Sequence, residues 1–222
     1  MNRGHWWILA FNALYLLIFA IYYISIQNYE FLVYILVIVI LGLILGINLR
    51  KSHFDVKVFE LNRNTLNIQK SKKKNQGLFD NLVLWLLSIW GLLHMIGGGV
   101  KIAGTKVYAL RLIDIVNNGG DFYILKMDQL IHFYGFFVAA ILVYQLLMAT
   151  GSNASKSPKL MVFLAWIGSM GLGALNEVVE FIAFISLAQT GVGDMYNTGL
   201  DLIFNLAGAL VGAFVAHKIY KN

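Results

Sequence analysis

Several polar and ionisable side chains lie inside or at the edge of apolar segments of this chain, where charge is costly. They are two histidines, four carboxylates and two asparagines: His94, Asp128, His132, Glu177, Glu180, Asp201, Asn176 and Asn205. An ionised carboxylate near the centre of a bilayer costs about 2.5–3.5 kcal/mol on insertion scales, and less toward the interface. A cluster of them must be neutralised by shared protons, by histidine or by a bound cation.

The spacing of these residues is helical. Three pairs are separated by four residues: Asp128/His132, Asn176/Glu180 and Asp201/Asn205. Glu177 and Glu180 are separated by three residues. Because residues three or four apart share one face of a helix, each helix can direct both members of its pair toward the same side.

The residue types suit a divalent metal ion. Imidazole nitrogen and carboxylate oxygen together can bind zinc, manganese or iron, and we expect zinc or manganese here. The candidate ligands are two histidines and three carboxylates: His94, His132, Asp128, Glu180 and Asp201. A glutamate that is not a ligand can act as the general base toward a metal-activated water, so Glu177 and Glu180 are the candidate catalytic residues. Asn176 and Asn205 are candidates for supporting roles.

Six apolar segments must position these residues: Trp6–Ser25, Phe31–Ile47, Leu78–Ile96, Leu130–Met148, Leu160–Leu187 and Gly199–Ile219. An apolar run of about 17 residues or more can cross a hydrocarbon core as a helix. Of the 222 residues, 59% are hydrophobic and only 13% are charged, which is far below the charged fraction of a soluble domain. The sequence therefore predicts an all-α, polytopic transmembrane bundle of about six spans, with the first segment retained.

The basic residues predict the orientation of the bundle. All but four of the 17 lysine and arginine residues fall in the amino terminus, residues 48–77, residues 149–159 and the carboxyl tail. The four exceptions all lie in residues 97–129: Lys101, Lys106, Arg111 and Lys126. The positive-inside rule places both termini in the cytoplasm of a multi-pass inner (plasma) membrane protein. The same rule accounts for the net charge of +6 without a nucleic-acid partner.

Alternating helix directions bring the polar residues to one depth. His94 lies about 24 Å, and Glu177 about 25 Å, from the cytoplasmic ends of their segments. Asp128 and His132 stand where span four begins, and Asp201 lies within about 10 Å of the start of span six. Each residue alone could be a helix cap or an interhelical hydrogen-bonding group. Together they predict one polar site near the extracytoplasmic face.

The remaining organisation follows from local pattern. Residues 1–77 hold two transmembrane helices and a basic cytoplasmic loop, and residues 78–222 form a four-helix core with an extracytoplasmic loop at 97–129. Within that loop, alternation over 106–116, a turn at 117–120 and strand residues at 121–125 predict a small hairpin, with an interfacial helix as the competing interpretation. Gly208-x-x-x-Gly212 predicts close helix packing, and the glycine run 97–99 predicts the end of span three.

Four blocks resemble the YjdF-like family of bacterial inner-membrane proteins: His94-Met-Ile-Gly97, Asp128-Gln-Leu-Ile-His-Phe-Tyr-Gly135, Gly173-Ala-Leu-Asn-Glu-Val-Val-Glu180 and Gly193-Asp-Met-Tyr-Asn-Thr-Gly-Leu-Asp201-Leu-Ile-Phe-Asn-Leu-Ala-Gly-Ala209. The last three also resemble the VanZ-like family. The blocks occur in the family's order and cover about residues 78–215. The resemblance implies that the family's polar positions include His94, Asp128, His132, Glu177, Glu180, Asp201 and Asn205, and it adds Asp194 as a supporting residue. It implies no particular reaction.

Three functions fit this pattern. The first is an intramembrane enzyme whose metal ion activates water against a lipid or lipid-linked headgroup. The second is a proton- or cation-coupled transporter of a small solute, although no inverted repeat supports it. The third is a structural or partner-binding membrane protein held together by its polar cluster. The chain has no cysteine, which excludes thiolate chemistry and iron–sulfur clusters.

Overall fold

The computed structural model describes residues 3–51, 79–117, 123–149, 157–187 and 195–220. Within these ranges the chain forms six helices: α1 (Arg3–Ser25), α2 (Tyr29–Lys51), α3 (Asn81–Gly99), α4 (Met127–Ala149), α5 (Pro158–Ser186) and α6 (Met195–Tyr220). Five are long and apolar enough to cross a membrane, and α2 carries a shorter apolar stretch over Tyr29–Ile40. The predicted all-α transmembrane bundle is confirmed.

Helix α4 is the central helix, and α3, α5 and α6 pack around it. Its closest neighbour is α6, because two glycines remove side chains from the interface. A Cβ atom on Gly208 would lie 2.1 Å from the carbonyl oxygen of Phe133, and one on Gly212 would lie 2.2 Å from that of Phe137. The close packing predicted for these glycines is confirmed. It brings the polar residues of α6 against those of α4.

The glycine run at the end of α3 accommodates three aromatic rings. A Cβ atom on Gly97 would overlap the ring of Tyr108, one on Gly98 the ring of Phe31, and one on Gly99 a ring from α1, that of Tyr23. The run ends α3 as predicted. It also allows α1, α2 and the following loop to pack onto the end of α3.

Two short antiparallel hairpins follow α3. Strands β1 (Lys101–Ile102) and β2 (Thr105–Lys106) are joined by Ala103 and Gly104, both with positive φ, as a two-residue primed turn requires. Strands β3 (Arg111–Asn117) and β4 (Tyr123–Lys126) form the second hairpin. We call this end of the bundle, where α3 ends and α4 begins, the hairpin end.

The second hairpin confirms one prediction and corrects another. The predicted strand pair forms, whereas the alternative of an interfacial helix is wrong. The expected turn at 117–120 lies mostly outside the described residues. The strand begins at Arg111 and not at residue 106, because Val107–Ala109 forms a 3-10 turn that seats Tyr108 on Gly97.

Candidate functional site

Five ionisable side chains from three helices meet below the hairpin end. We call them the polar cluster: Asp128 and His132 of α4, Glu177 and Glu180 of α5, and Asp201 of α6. All except Glu180 are buried, and Glu180 is half-buried. At 1.5 Å per residue, His132, Glu177 and Asp201 lie about 8–14 Å from the hairpin ends of their helices. These five predicted site residues therefore come together near one end of the bundle.

His132 is at the centre of the cluster. Its Nδ1 atom lies 3.1 Å from Oδ1 of Asn205 and 3.7 Å from Oε1 of Glu177. In this orientation of the Asn205 amide its oxygen accepts the hydrogen bond, and Nδ1 of His132 is the donor. The other ring nitrogen, Nε2, lies 3.6 Å from Oδ1 of Asp128. The Asn205 contact thus leaves the Nε2 lone pair directed toward carboxylate oxygens, the orientation that a metal-binding histidine needs.

Asn197 joins two acidic residues of the cluster. Its amide donates to Oδ2 of Asp201 at 2.7 Å and to Oδ2 of Asp128 at 3.4 Å. The second oxygen of Asp201 is buried and accepts no hydrogen bond from the described residues. Asn197 was not among the site residues predicted from sequence. Its signal was present, because Asn197, Asp201 and Asn205 stand four residues apart on one face of α6.

Glu177 is the least satisfied member of the cluster. Asn176 donates its amide to Oε1 of Glu180 at 2.8 Å, and neither oxygen of Glu177 accepts a hydrogen bond of good geometry from the described residues. The Asn176 and Asn205 amides lie nearby without reaching that geometry. A buried carboxylate without donors requires a proton or a cation beside it.

Two groups of side chains have the spacing of metal ligands. Asp128, His132 and Asp201 form one, and His132, Glu177 and Glu180 form the other, with the ligand atoms of each group within 4.8 Å of one another. His132 belongs to both. His94, also predicted as a ligand, belongs to neither group. Asp194 lies outside the described residues.

His94 lies against an aromatic wall. Its ring is surrounded by Phe31, Tyr34, Trp90 and Tyr108, with centroid separations of 5.6–6.1 Å. The Tyr108 hydroxyl makes a hydrogen bond with Nδ1 of His94. Burial, and then the nearby Asp128 and Glu180 carboxylates, raise the pKa of Tyr108, so its hydroxyl stays neutral.

A cavity of about 180 Å³ is lined both by His94 and by members of the polar cluster. Asp128 and Glu180 contribute to its walls, together with His94 and Tyr108. Five other charged or polar residues of the walls were not predicted from sequence: Glu30 and Tyr34 of α2, Lys106 of β2, Lys126 of β4 and Asn197 of α6. The Tyr34 hydroxyl donates to Oε1 of Glu30 at 3.2 Å, and their separation by four residues was the available signal.

The fold and the site define a class of protein. It is a helical membrane bundle with a buried cluster of histidine and carboxylates near one end. The chain belongs to the DUF2238 family, whose description is "predicted membrane protein" and whose model matches residues 6–222. This is the YjdF-like family of the sequence resemblance, and the match includes α1 and α2 as well as the four-helix core. The VanZ-like resemblance remains a prediction. Neither the curated proteins nor the solved structures contain a significant match.

Proposed function

We propose that this protein is a metal-dependent intramembrane enzyme that acts on a lipid or lipid-linked headgroup. One observation carries the proposal: Glu177 and Asp201 hold buried carboxylate oxygens without hydrogen-bond donors among the described residues, beside the buried imidazole of His132. A carboxylate that stays ionised there needs a positive charge in contact with it. A divalent ion would supply that charge and match the mixed nitrogen and oxygen ligands.

The cluster residues divide into ligands and a base. Asp128, Asp201 and Nε2 of His132 form one ligand group, and Glu177 stands beside them on the Nδ1 side of the ring. Zinc or manganese suits this set, and either ion would provide an activated water and polarise an oxygen of the substrate. His94 is not a ligand in this assignment. It lines the cavity and shares a hydrogen bond with Tyr108.

Glu180 is the residue we assign as general base. It is half-buried, lines the cavity and has Oε1 held by the Asn176 amide. A base must lie within hydrogen-bond reach of the proton that it removes, and among the cluster carboxylates Glu180 and Asp128 line the cavity. Because Asp128 is in the ligand group, Glu180 is the better placed to take a proton from water.

The depth of the cavity favours a headgroup as substrate. The cluster lies about 8–14 Å from the helix ends, within the outer half of a hydrocarbon core about 30 Å thick. With the hairpin end outside, as the basic residues predict, a headgroup of the outer leaflet of the inner (plasma) membrane would meet the cavity.

Continuity of the helices favours an enzyme over a transporter. Secondary transporters commonly hold substrate near the midplane, at breaks in discontinuous helices. Within the described ranges each of the six helices runs without a break, and the cluster lies toward one end.

Headgroup release is the direct test. Purified protein in nanodiscs of bacterial polar lipids would be incubated with zinc or manganese, or with chelator, and water-soluble products measured by mass spectrometry. We expect metal-dependent release that falls by about 10²–10⁴-fold in Glu180→Gln, with metal content retained. His217→Ala, a histidine bonded to Tyr144 near the opposite end of the bundle, is the matched control and should keep full activity. Equal rates in wild type and Glu180→Gln, or no product from any lipid, would contradict the proposal.

A further inference from the structure

We infer that the cavity beside the polar cluster binds a phosphate group and that Lys106 and Lys126 recognise it. The ligand would be a phosphate monoester or diester, carried by a lipid headgroup or by a soluble molecule. This inference rests on the proposed function, since it names the substrate class of the same site.

The two lysines reach the cavity from different hairpins. Lys106 ends β2 and Lys126 ends β4, and both half-buried side chains line the cavity. Their register partners, Lys101 and Arg111, are exposed and do not line it. The fold thus directs two of the four basic residues of this loop inward and leaves the other two in contact with the surroundings.

Carboxylates in the described part of the chain do not pair directly with these lysines. Among the described residues, neither ammonium group lies within 4 Å of a carboxylate oxygen, and the ion pairs within that distance involve His132. Lys126 lies near enough to Asp128 and Asp201 to attract them without contact. A half-buried ammonium group without a contacting anion is costly at the edge of a membrane. An anion bound in the cavity would contact both lysines.

Phosphate is the anion that the two lysines favour once the carboxylates on the same walls, Glu30, Asp128 and Glu180, are neutralised by protons or by a cation. Lysine binds phosphate as a point charge, and a cation held by Asp128, which also lines the cavity, would attract the same phosphate oxygens. The cavity volume of about 180 Å³ is smaller than the 300 Å³ or so of typical small-molecule pockets. A phosphorylated headgroup therefore fits, and an acyl chain would have to remain outside.

The test compares three soluble probes on detergent-purified protein. Dihexanoyl phosphatidic acid carries the lipid phosphate, inorganic phosphate is the soluble source, and dihexanoylglycerol lacks the phosphate. We expect wild type to bind a phosphate probe and not dihexanoylglycerol.

Lys106→Ala and Lys126→Ala should each weaken binding about tenfold, since a charged hydrogen bond is lost. The double variant should lose about 100-fold, Lys→Arg variants should retain binding, and Lys101→Ala should match wild type. Preference for phosphatidic acid over inorganic phosphate would assign the lipid source, and the reverse the soluble one.

Two readouts separate this inference from the proposed function. Metal content is measured on the same samples, and thermal unfolding checks that each variant is folded, with Lys126→Gln as the milder second variant. Phosphate binding that is equal in wild type and the double variant, or dihexanoylglycerol binding as strong as that of phosphatidic acid, would overturn the inference while leaving a metal-loaded protein intact. If the protein binds phosphate through the lysines but takes up no zinc or manganese, the proposed function as a metalloenzyme is overturned and the phosphate site stands.

Discussion

Nδ1 of His132 on α4 lies 3.1 Å from Oδ1 of Asn205 on α6, and both residues are buried. The contact exists because α6 approaches α4 closely. Gly208 stands one turn beyond Asn205, and its missing side chain makes room for the backbone of Phe133, the residue after His132. Helix packing therefore fixes the ring orientation that presents Nε2 to Asp128.

Removal of this contact should weaken metal binding without unfolding the protein. We expect Asn205→Leu to reduce zinc affinity about 10–100-fold, as loss of an outer partner of a metal-binding histidine does, in a competition titration with a chromophoric chelator. Asn12→Leu is the matched control, because Asn12 joins α1 to Ser88 of α3 outside the cluster. Equal zinc affinity in Asn205→Leu and Asn12→Leu would contradict this role for Asn205.

Glycine packing between α4 and α6 should show in stability. A methyl group on Gly208 would meet the Phe133 carbonyl at 2.1 Å, whereas one on Gly171 would meet nothing within 4 Å. We expect Gly208→Ala to lower the free energy of unfolding by about 1–3 kcal/mol, as overpacking does. Gly171→Ala should be neutral or stabilising because alanine favours helix. Denaturant titration in detergent measures both, and equal effects would show that the interface tolerates a side chain.

Residues that share one site should not act independently. His132→Ala and Glu180→Gln should change the free energy of unfolding non-additively, because both side chains lie close to Glu177 in the polar cluster. Glu180→Gln combined with Asp80→Ala should be additive within about 0.5 kcal/mol, since Asp80 caps the opposite end of α3. If the changes in the free energy of unfolding for His132→Ala and Glu180→Gln add as closely as those of the control pair, the two residues belong to separate sites.

The orientation in the membrane can be tested by cysteine labelling, because the chain has no cysteine of its own. Lys101→Cys at the hairpin end and Lys159→Cys at the start of α5 are both exposed positions. On intact cells, a membrane-impermeant thiol reagent should label Lys101→Cys, and it should label Lys159→Cys only after permeabilisation. The opposite pattern would place the cavity on the cytoplasmic side.

The helices and the depth of the site were predictable, because both follow from position along the chain. Apolar run length gives the spans, and a rise of about 1.5 Å per residue gives the level of each polar residue. The i,i+4 spacing of Asp128 and His132 gives their shared face. The polar residues that meet in the structure are mainly those that these rules selected.

Position around the bundle was not predictable in the same way. His94 has the depth of the cluster, but it packs against the rings of Phe31 and Tyr108 and belongs to neither ligand group. Glu30 lines the cavity only because of how α2 packs on α3. Lys106 and Lys126 lie there because of hairpin geometry. Rotation of a helix and the register of a hairpin depend on tertiary contacts that spacing does not encode.

Thermal unfolding in detergent, with and without metal, tests the proposed metal site most directly. A ligand that binds only the folded state stabilises it by about 4 kcal/mol at 1,000 times its dissociation constant, which corresponds to a shift on the order of 10 °C for a chain of this size. We predict that chelator lowers the melting temperature of wild type, that zinc or manganese restores it, and that His132→Ala responds to neither. His217→Ala should behave as wild type. A melting temperature unchanged by chelator and by metal, in protein that elemental analysis finds metal-free, would contradict the metal site and leave carboxylates that share protons.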